Sequence, residues 1–197
     1  MTQESKDAGP SEPRLWPLVE SRPGPDLLIC RVRHDTLVNP RTDAQMVRTV
    51  LETPDWVNVV ALTPERRIVV VRQYRFGPAA IRTEIPGGVI DRGEDHETAA
   101  RRELREETGY LSERWTYLGA VEPNPAFHDN VCHHWLAEDA IRTTEQEQDP
   151  GEDIVVDTLG IDEMRDEIAN GRIQHALVIT ALSRVLDLRL EARDGDE

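Results

Sequence analysis

The stretch from Glu84 to Tyr110, EIPGGVIDRGEDHETAARRELREETGY, constrains the fold and the chemistry of this chain more than any other. Two adjacent glycines predict a turn, and the residues after them predict a helix with Asp95 as its N-cap and Gly109 at its end. Because a helix advances about 100° per residue, the glutamates at positions 103, 106 and 107 share one helical face. Like charges so close repel each other, and oxygen-rich clusters of this kind suit magnesium or manganese. The stretch therefore predicts a turn and a helix that hold a divalent cation.

The spacing of this stretch resembles the signature of the Nudix family, hydrolases that cut nucleoside diphosphates linked to another moiety. The matching polar and glycine positions are Gly88, Glu94, Arg102, Glu103, Glu106, Glu107 and Gly109. Tyr110 is a departure, since the family usually has an aliphatic residue there. The resemblance implies a Nudix-type α/β/α sandwich with a mixed sheet, to which this chain adds N-terminal antiparallel strands.

The resemblance also implies roles for residues of the signature. The implied metal ligands are Glu103, Glu106, Glu107 and the backbone carbonyl of Gly87. Arg102 is implied to support catalysis by bracing Glu94 and the helix carboxylates, with an ordinary ion pair to Glu106 as the alternative. Hydrolysis of a pyrophosphate needs cations beside the phosphates and a base or a metal that deprotonates the attacking water.

Residues outside the signature resemble the ADP-ribose pyrophosphatase branch of the family. Arg75 follows an apolar strand and is predicted to reach the diphosphate, with a plain surface arginine as the alternative. Glu84 is predicted to accept from a ribose hydroxyl or from the base. Pro125 stands where ADP-ribose-hydrolysing members carry a marker proline, although Ala126 replaces its usual companion glycine.

A late acidic loop supplies one more candidate. Glu152, in the segment DPGEDI, resembles the glutamate that a mobile loop brings into the site of ADP-ribose pyrophosphatases. It is predicted to ligate a metal or to act as general base, and a solubilising surface charge is the alternative. Whether Glu107, Glu152 or the metal provides the base stays open at this point.

The first hypothesis is a magnesium-dependent enzyme, with manganese as the other metal considered, that hydrolyses ADP-ribose to AMP and ribose 5-phosphate. Relatives stack the adenine on aromatic residues of the N-terminal strands, but the segment from Asp43 to Met46 has none; Trp16 and Trp56 are other candidates. GDP-mannose or another nucleoside diphosphate sugar is therefore the second hypothesis. The third is a non-catalytic nucleotide-sensing Nudix domain, against which the intact carboxylate set argues.

Composition narrows the partners and the setting. A net charge of -15 argues against binding nucleic acid through its phosphates. The two cysteines, Cys30 and Cys132, form no disulfide framework. The N-terminus has no apolar run that resembles a signal peptide, and no stretch has the apolar length of a membrane span. We expect a cytoplasmic protein whose partner is a nucleoside diphosphate-linked small molecule, with no nucleic acid and no membrane.

The chain divides into four predicted segments. Residues 1–13 and 191–197 are polar and are predicted to be disordered tails. Residues 14–54 predict an arm of strands with little core of its own, including one strand from Asp26 to Val38. Residues 55–190 predict the Nudix hydrolase domain, which ends in helices at 161–169 and 174–190. By the family resemblance, the arm is expected to form a homodimer.

Overall fold

A computed structural model describes residues 12–188 of the chain. These residues fall into two compact units. The first contains the described residues up to Thr53 together with Ala126–Asp129, and the second contains Pro54–Pro125 and the residues from Asn130 onward. The predicted tails lie outside the described residues, apart from positions 12 and 13. No helix within residues 12–188 is long and apolar enough to cross a membrane.

The first unit is an antiparallel sheet of three strands in the order β1-β2-β3. The strands are β1 (Leu18–Asp26), β2 (Arg31–Val38) and β3 (Gln45–Glu52). The prediction of one strand from Asp26 to Val38 is wrong, because the chain turns between β1 and β2. The Asp26 carboxylate accepts the N–H of Leu28 at 3.1 Å, and Leu28 has φ of 71°. This hydrogen bond from a side chain to the nearby backbone favours a turn over strand pairing. The alternation of apolar and polar residues does not predict it.

The second unit contains the remaining strands and all three helices of the described residues. Its elements are β4 (Trp56–Ala61), β5 (Ile68–Arg75), β6 (Ala80–Glu84), α1 (His96–Thr108), β7 (Tyr110–Leu111), β8 (Arg114–Val121), β9 (Cys132–Glu138), β10 (Ile141–Arg142), β11 (Val155–Leu159), α2 (Ile161–Ala169) and α3 (Ala176–Ser183). One sheet has the antiparallel order β11-β5-β6, and β7 pairs with β10. The other has the order β4-β9-β8, in which β4 runs parallel and β8 antiparallel to β9.

Neighbouring residues of β4 and β5 face two different hydrophobic cores. Side chains alternate between the two faces of a strand, so consecutive apolar residues serve both cores. One core combines Val60, Ile68 and Val70 with Met164 of α2 and Val178 and Leu182 of α3. The other combines Val57, Val59 and Val69 with Ala99, Ala100 and Leu104 of α1. Helices therefore cover both faces, which confirms the predicted α/β/α arrangement with a mixed sheet and added N-terminal antiparallel strands.

The last helix is shorter than the sequence pattern predicts. The predicted helix at 161–169 matches α2, but α3 ends at Ser183 rather than continuing to 190. Arg184 leaves the helix and donates from Nη1 to the carbonyl of Leu118 and from Nη2 to that of Ala120, at 3.3 Å. The apolar spacing after Ser183 cannot reveal this contact, because the partner carbonyls come from a distant strand. Residues 189 and 190 lie outside the described part of the chain.

Candidate active site

Helix α1 begins and ends where its sequence predicts. The Asp95 carboxylate accepts the N–H groups of Glu97 and Thr98, both at 3.0 Å, as an N-cap does. Gly109 has φ of 73°, the left-handed conformation that ends helices, and its N–H donates to the carbonyl of Arg105 at 2.8 Å. The two caps set where the helix begins and ends. Ala100 and Leu104 are buried in the core and so face away from the glutamates. We call Glu103, Glu106 and Glu107 on the remaining face the carboxylate cluster.

The glycine turn, Gly87 and Gly88, connects the cluster to β4. The N–H of Gly87 donates to Oε2 of Glu107 at 2.9 Å. A Cβ at position 87 would lie 2.2 Å from the carbonyl oxygen of Val57, and one at position 88 would lie 2.4 Å from Oε1 of Glu103. Neither glycine has a positive φ, so the close approach to neighbouring atoms is what distinguishes these positions. Position 87 needs glycine because the clash is with backbone, whereas a Cβ at position 88 would require the Glu103 carboxylate to move.

Arg102 holds the cluster and the loop before the helix together. Its Nε and Nη2 donate to the two carboxylate oxygens of Glu94, at 3.0 and 2.9 Å. Its Nη1 donates to Glu103 at 2.8 Å and to Glu106 at 3.4 Å. Nη2 also donates to the carbonyl of Val89 at 3.0 Å. The guanidinium of Arg102 therefore makes both sets of contacts: those with Glu94 and Glu103, and the ion pair with Glu106 one helical turn away.

Burial disfavours the ionised forms of Glu103 and Glu107. Glu107 is 4% exposed, and its burial raises its pKa well above the usual range, although the Gly87 N–H opposes this. Burial likewise raises the pKa of Glu103, although Arg102 opposes it. Such carboxylates are stabilised by a nearby cation.

A divalent cation would stabilise the ionised forms of these carboxylates. The oxygen donors are those that such ions prefer. Within residues 12–188, however, no group of three or more His, Cys, Asp or Glu side chains is gathered closely enough to hold a metal ion. Arg102 instead holds Glu103, and Arg105 contacts Glu106 at 2.7 Å. Binding therefore requires these side chains to turn from their arginine partners.

Arg75 and Glu84 meet each other beside the glycine turn. Nε and Nη2 of Arg75 donate to the two oxygens of Glu84 at 3.0 and 2.6 Å, and Nδ1 of His175 lies 3.4 Å from Oε2. Burial alone would raise the pKa of Glu84, but His175 and Arg75 outweigh it and lower the pKa to about 2. Glu84 is thus a buried anion that orients Arg75. Its predicted contact with a ribose or a base stays a prediction.

A cavity of about 250 Å³ opens beside this pair, and we call it the first cavity. Its lining residues are Trp56, Val57, Asn58, Arg75, Gly87, Gly88, Val89, Cys132, His175 and Leu177. Burial, together with Asp55, raises the pKa of Cys132 to about 12, which keeps its thiol protonated. His175 was missed as a site residue, because the segment around it resembles an ordinary helix start. Its position directly before an apolar helix was the only local signal.

Two predicted residues lie apart from the cluster. Glu152 is exposed, and its Oε2 accepts the N–H of Asp149 at 3.0 Å. It is near enough for its charge to contribute to the raised pKa of both Glu103 and Glu107. Pro125 is exposed in the loop after β8, and the described residues show no contact that joins it to the cluster. Both assignments stay predictions.

The helix, the glycine turn and the sandwich together define a class of hydrolase fold, and comparison with known proteins names it. A family model described as "NUDIX domain" matches residues 53–181, and this chain belongs to the Nudix family.

Individual relatives are similar over part of their length. The "ADP-ribose pyrophosphatase" of Bacillus subtilis (strain 168) is 35% identical over 114 residues, which is 58% of this chain and 61% of that protein. The "Methanol dehydrogenase activator" of Bacillus methanolicus is 35% identical over 137 residues, 68% of this chain and 74% of that protein. A solved structure described as "Crystal structure of ADP compounds hydrolase" aligns with a TM-score of 0.78 and 20% identity. That alignment covers 89% of this chain and 95% of the other, and it shows the shared fold.

Proposed function

We propose that this chain is a divalent-metal-dependent hydrolase that cleaves the pyrophosphate bond of ADP-ribose to give AMP and ribose 5-phosphate. The observation that carries the proposal is the carboxylate cluster beside the glycine turn, with buried Glu107 fixed by the Gly87 N–H. The choice of ADP-ribose is supported by the Bacillus subtilis relative of that name. Magnesium is the proposed metal, with manganese as a substitute, because the donors are all oxygens.

The residues would divide the chemistry as follows. Glu103, Glu106, Glu107 and the Gly87 carbonyl would hold the cation, and Glu152 would join them if its loop closes. When bound, the cation neutralises phosphate oxygens and lowers the pKa of nearby water. Arg75, oriented by Glu84, would position the diphosphate, since two of its nitrogens are already fixed. The indole of Trp56, in the wall of the first cavity, would pack against the nucleobase.

The proposed reaction is a displacement at phosphorus. Oxygen of water forms a new bond to one phosphorus of the diphosphate, and the bond from that phosphorus to the bridging oxygen breaks. One water proton passes to a carboxylate base. Glu107 is one candidate for this base, because it lies in the carboxylate cluster and its side chain is fixed by the Gly87 N–H. Glu152 is the other candidate, and the bridging oxygen leaves as a phosphate monoester.

A panel assay tests the proposed substrate and the metal. With magnesium present, ADP-ribose should give AMP and ribose 5-phosphate, measured by chromatography, and EDTA should lower the rate by at least about 100-fold because the cation stabilises the transition state. Faster cleavage of GDP-mannose than of ADP-ribose would reject the substrate choice. Absence of cleavage across all nucleoside diphosphate derivatives, with magnesium or manganese, would leave a nucleotide-sensing domain as the better reading.

We also propose that residues 14–54 form a homodimer contact. The first unit exposes many large apolar side chains for one small sheet, and exposed apolar patches mark association surfaces. They are Leu15, Trp16, Leu18, Val19, Leu27, Leu28, Ile29, Met46 and Val47. A second copy of the chain is the proposed partner, following the family resemblance.

Introducing a charge into this surface tests the dimer. Val47→Glu should shift the molar mass in light scattering from dimer to monomer, because desolvating the new carboxylate opposes association. Val155→Glu is the control, since Val155 is 58% exposed on β11 and Val47 is 53% exposed on β3. The control should remain dimeric. A monomeric parent protein at all concentrations would reject the dimer.

A further inference from the structure

A second cavity, of about 490 Å³, adjoins the first in the same compact unit. Its lining residues are Arg75, Phe76, Gly77, Pro78, Arg82, Glu84, Gln174 and His175. Arg75 and His175 line both cavities, so the two spaces meet at the residues that orient the proposed diphosphate contact. A ligand whose diphosphate lies at Arg75 would therefore have its continuation beside the second cavity.

The second cavity carries a surplus of positive charge. Among the described residues that line it, only Glu84 carries a carboxylate, and both oxygens of that group accept hydrogen bonds from Arg75. Arg82 remains without an acidic partner: its Nη1 donates to the carbonyl of Ile81 at 3.3 Å, and it forms no ion pair within residues 12–188. Its guanidinium is therefore available for an anion.

The strand register places Arg82 next to the other two charged groups. Gln73 pairs with Arg82, Arg75 pairs with Ala80, and Val71 pairs with Glu84. Directly paired residues share a face, and residues two apart along a strand do so as well. Arg75, Arg82 and Glu84 therefore share one face of the β5–β6 hairpin. Backbone pairing therefore places the side chain of Arg82 on the cavity side of the hairpin.

A helix start adds to the positive potential. Helix α3 begins at Ala176, and its N-cap, His175, makes no side-chain hydrogen bond to the first helical N–H groups. Gln174 and His175 line the cavity. The N-terminus of a helix carries a partial positive charge that favours anions within its first turn. The N-terminus of α3 and the guanidinium of Arg82 thus both favour a negatively charged ligand.

The remaining wall is apolar. Phe76 is 84% exposed although it lines the cavity, and its ring packs edge-on against Tyr74 with centroids 5.5 Å apart. Pro78 and Gly77 complete this wall. Such a surface suits the ring of a sugar or a base, next to a charged group.

We propose that the second cavity binds an anionic group, a phosphate monoester or a carboxylate, on the part of the substrate beyond the cleaved diphosphate, and that Arg82 recognises it. This inference rests on the proposed function, since it assumes a nucleoside diphosphate derivative at Arg75. It assigns a preference for substrates with an extra negative charge and names Arg82 as the residue that determines it.

Two matched pairs of compounds test the inference. ADP-ribose is compared with ADP-ribose 1″-phosphate, and UDP-glucose with UDP-glucuronate, so that the phosphate and the carboxylate are assayed separately. The parent protein should prefer the anionic member of at least one pair by about tenfold in kcat/KM, through a lower KM, because a charged hydrogen bond has this strength. In Arg82→Gln that ratio should fall to within about twofold, and Arg82→Lys should keep part of it.

Arg66→Gln is the matched control. It removes one positive charge, and it lies in the turn before β5, at the opposite end of that strand from Arg75. The control should keep the parent ratio. Equal kcat/KM within both pairs, or a preference that survives in Arg82→Gln, overturns the inference.

A binding measurement separates this inference from the proposed function. Calorimetry in EDTA reports the affinity of each compound without turnover. If nothing is cleaved but the anionic compounds bind about tenfold more tightly and lose this advantage in Arg82→Gln, the anion site stands and the proposed hydrolysis fails. If cleavage occurs without any preference in rate or affinity, the hydrolysis stands and the anion site fails.

Discussion

Replacing Glu107 with Gln is expected to lower kcat for ADP-ribose by about 10³-fold and to stabilise the metal-free protein at the same time. Gln keeps an oxygen that accepts the Gly87 N–H, so the turn and the helix stay joined. It removes the charge that would hold the cation and take the proton from water. Steady-state kinetics with magnesium and thermal melting in EDTA measure the two effects.

The stability change follows from the direction of the pKa shift. Burial raises the pKa of Glu107 above its usual 4.5, so the folded state binds this proton more tightly than the unfolded state. The ionised carboxylate therefore destabilises the fold increasingly as the pH rises from 4.5 through the raised pKa. Gln avoids this penalty, and the melting temperature should rise by about 3 °C for each kcal/mol recovered. The gain should vanish below pH 4.5, where both side chains are neutral.

Glu97→Gln is the control for this prediction. Glu97 lies on the same helix, about half exposed, in an ion pair with Arg101 at 2.8 Å. Exposed pairs of this kind contribute little, so both activity and melting temperature should stay close to those of the parent protein. An active Glu107→Gln enzyme, or one that loses stability in EDTA, would contradict the role assigned to Glu107. Magnesium should raise the melting temperature of the parent protein more than that of the variant.

The sequence predicts the turn and α1 well because their determinants are local. Asp95, Gly109 and the cluster lie within one short stretch, and caps and helical spacing act over a few residues. The two hydrophobic cores were also predictable in outline, since the unbroken apolar run of β5 can only be buried on both faces.

Other parts of the site depend on contacts between distant segments. His175 reaches Glu84 only because α3 begins beside the β5–β6 hairpin, and no spacing in the sequence records this contact. The pairing of Arg75 with Glu84 likewise depends on strand register. The sequence predicts a separate substrate contact for Arg75 and for Glu84, whereas the structure shows the two side chains paired with each other.

Replacing Gly87 with Ala is expected to destabilise the fold by about 2 kcal/mol and to lower kcat/KM by about 100-fold. The added Cβ would lie 2.2 Å from the Val57 carbonyl oxygen, and 2.6 Å from Nδ2 of Asn58. The carbonyl belongs to the backbone of β4 and cannot rotate away as a side chain would. The turn must therefore shift, and the N–H that fixes Glu107 shifts with it.

Kinetics and melting together separate the two consequences of this shift. The melting temperature should fall by about 6 °C, and activity measured well below that temperature should remain low, because folded molecules still carry a displaced Glu107. Gly151→Ala is the matched control, since within residues 12–188 no heavy atom other than those of its chain neighbours lies within 4 Å of its added Cβ, and its φ is not positive. The control should melt like the parent protein. A Gly87→Ala enzyme that is destabilised but fully active would show that Glu107 does not need the Gly87 N–H for its function.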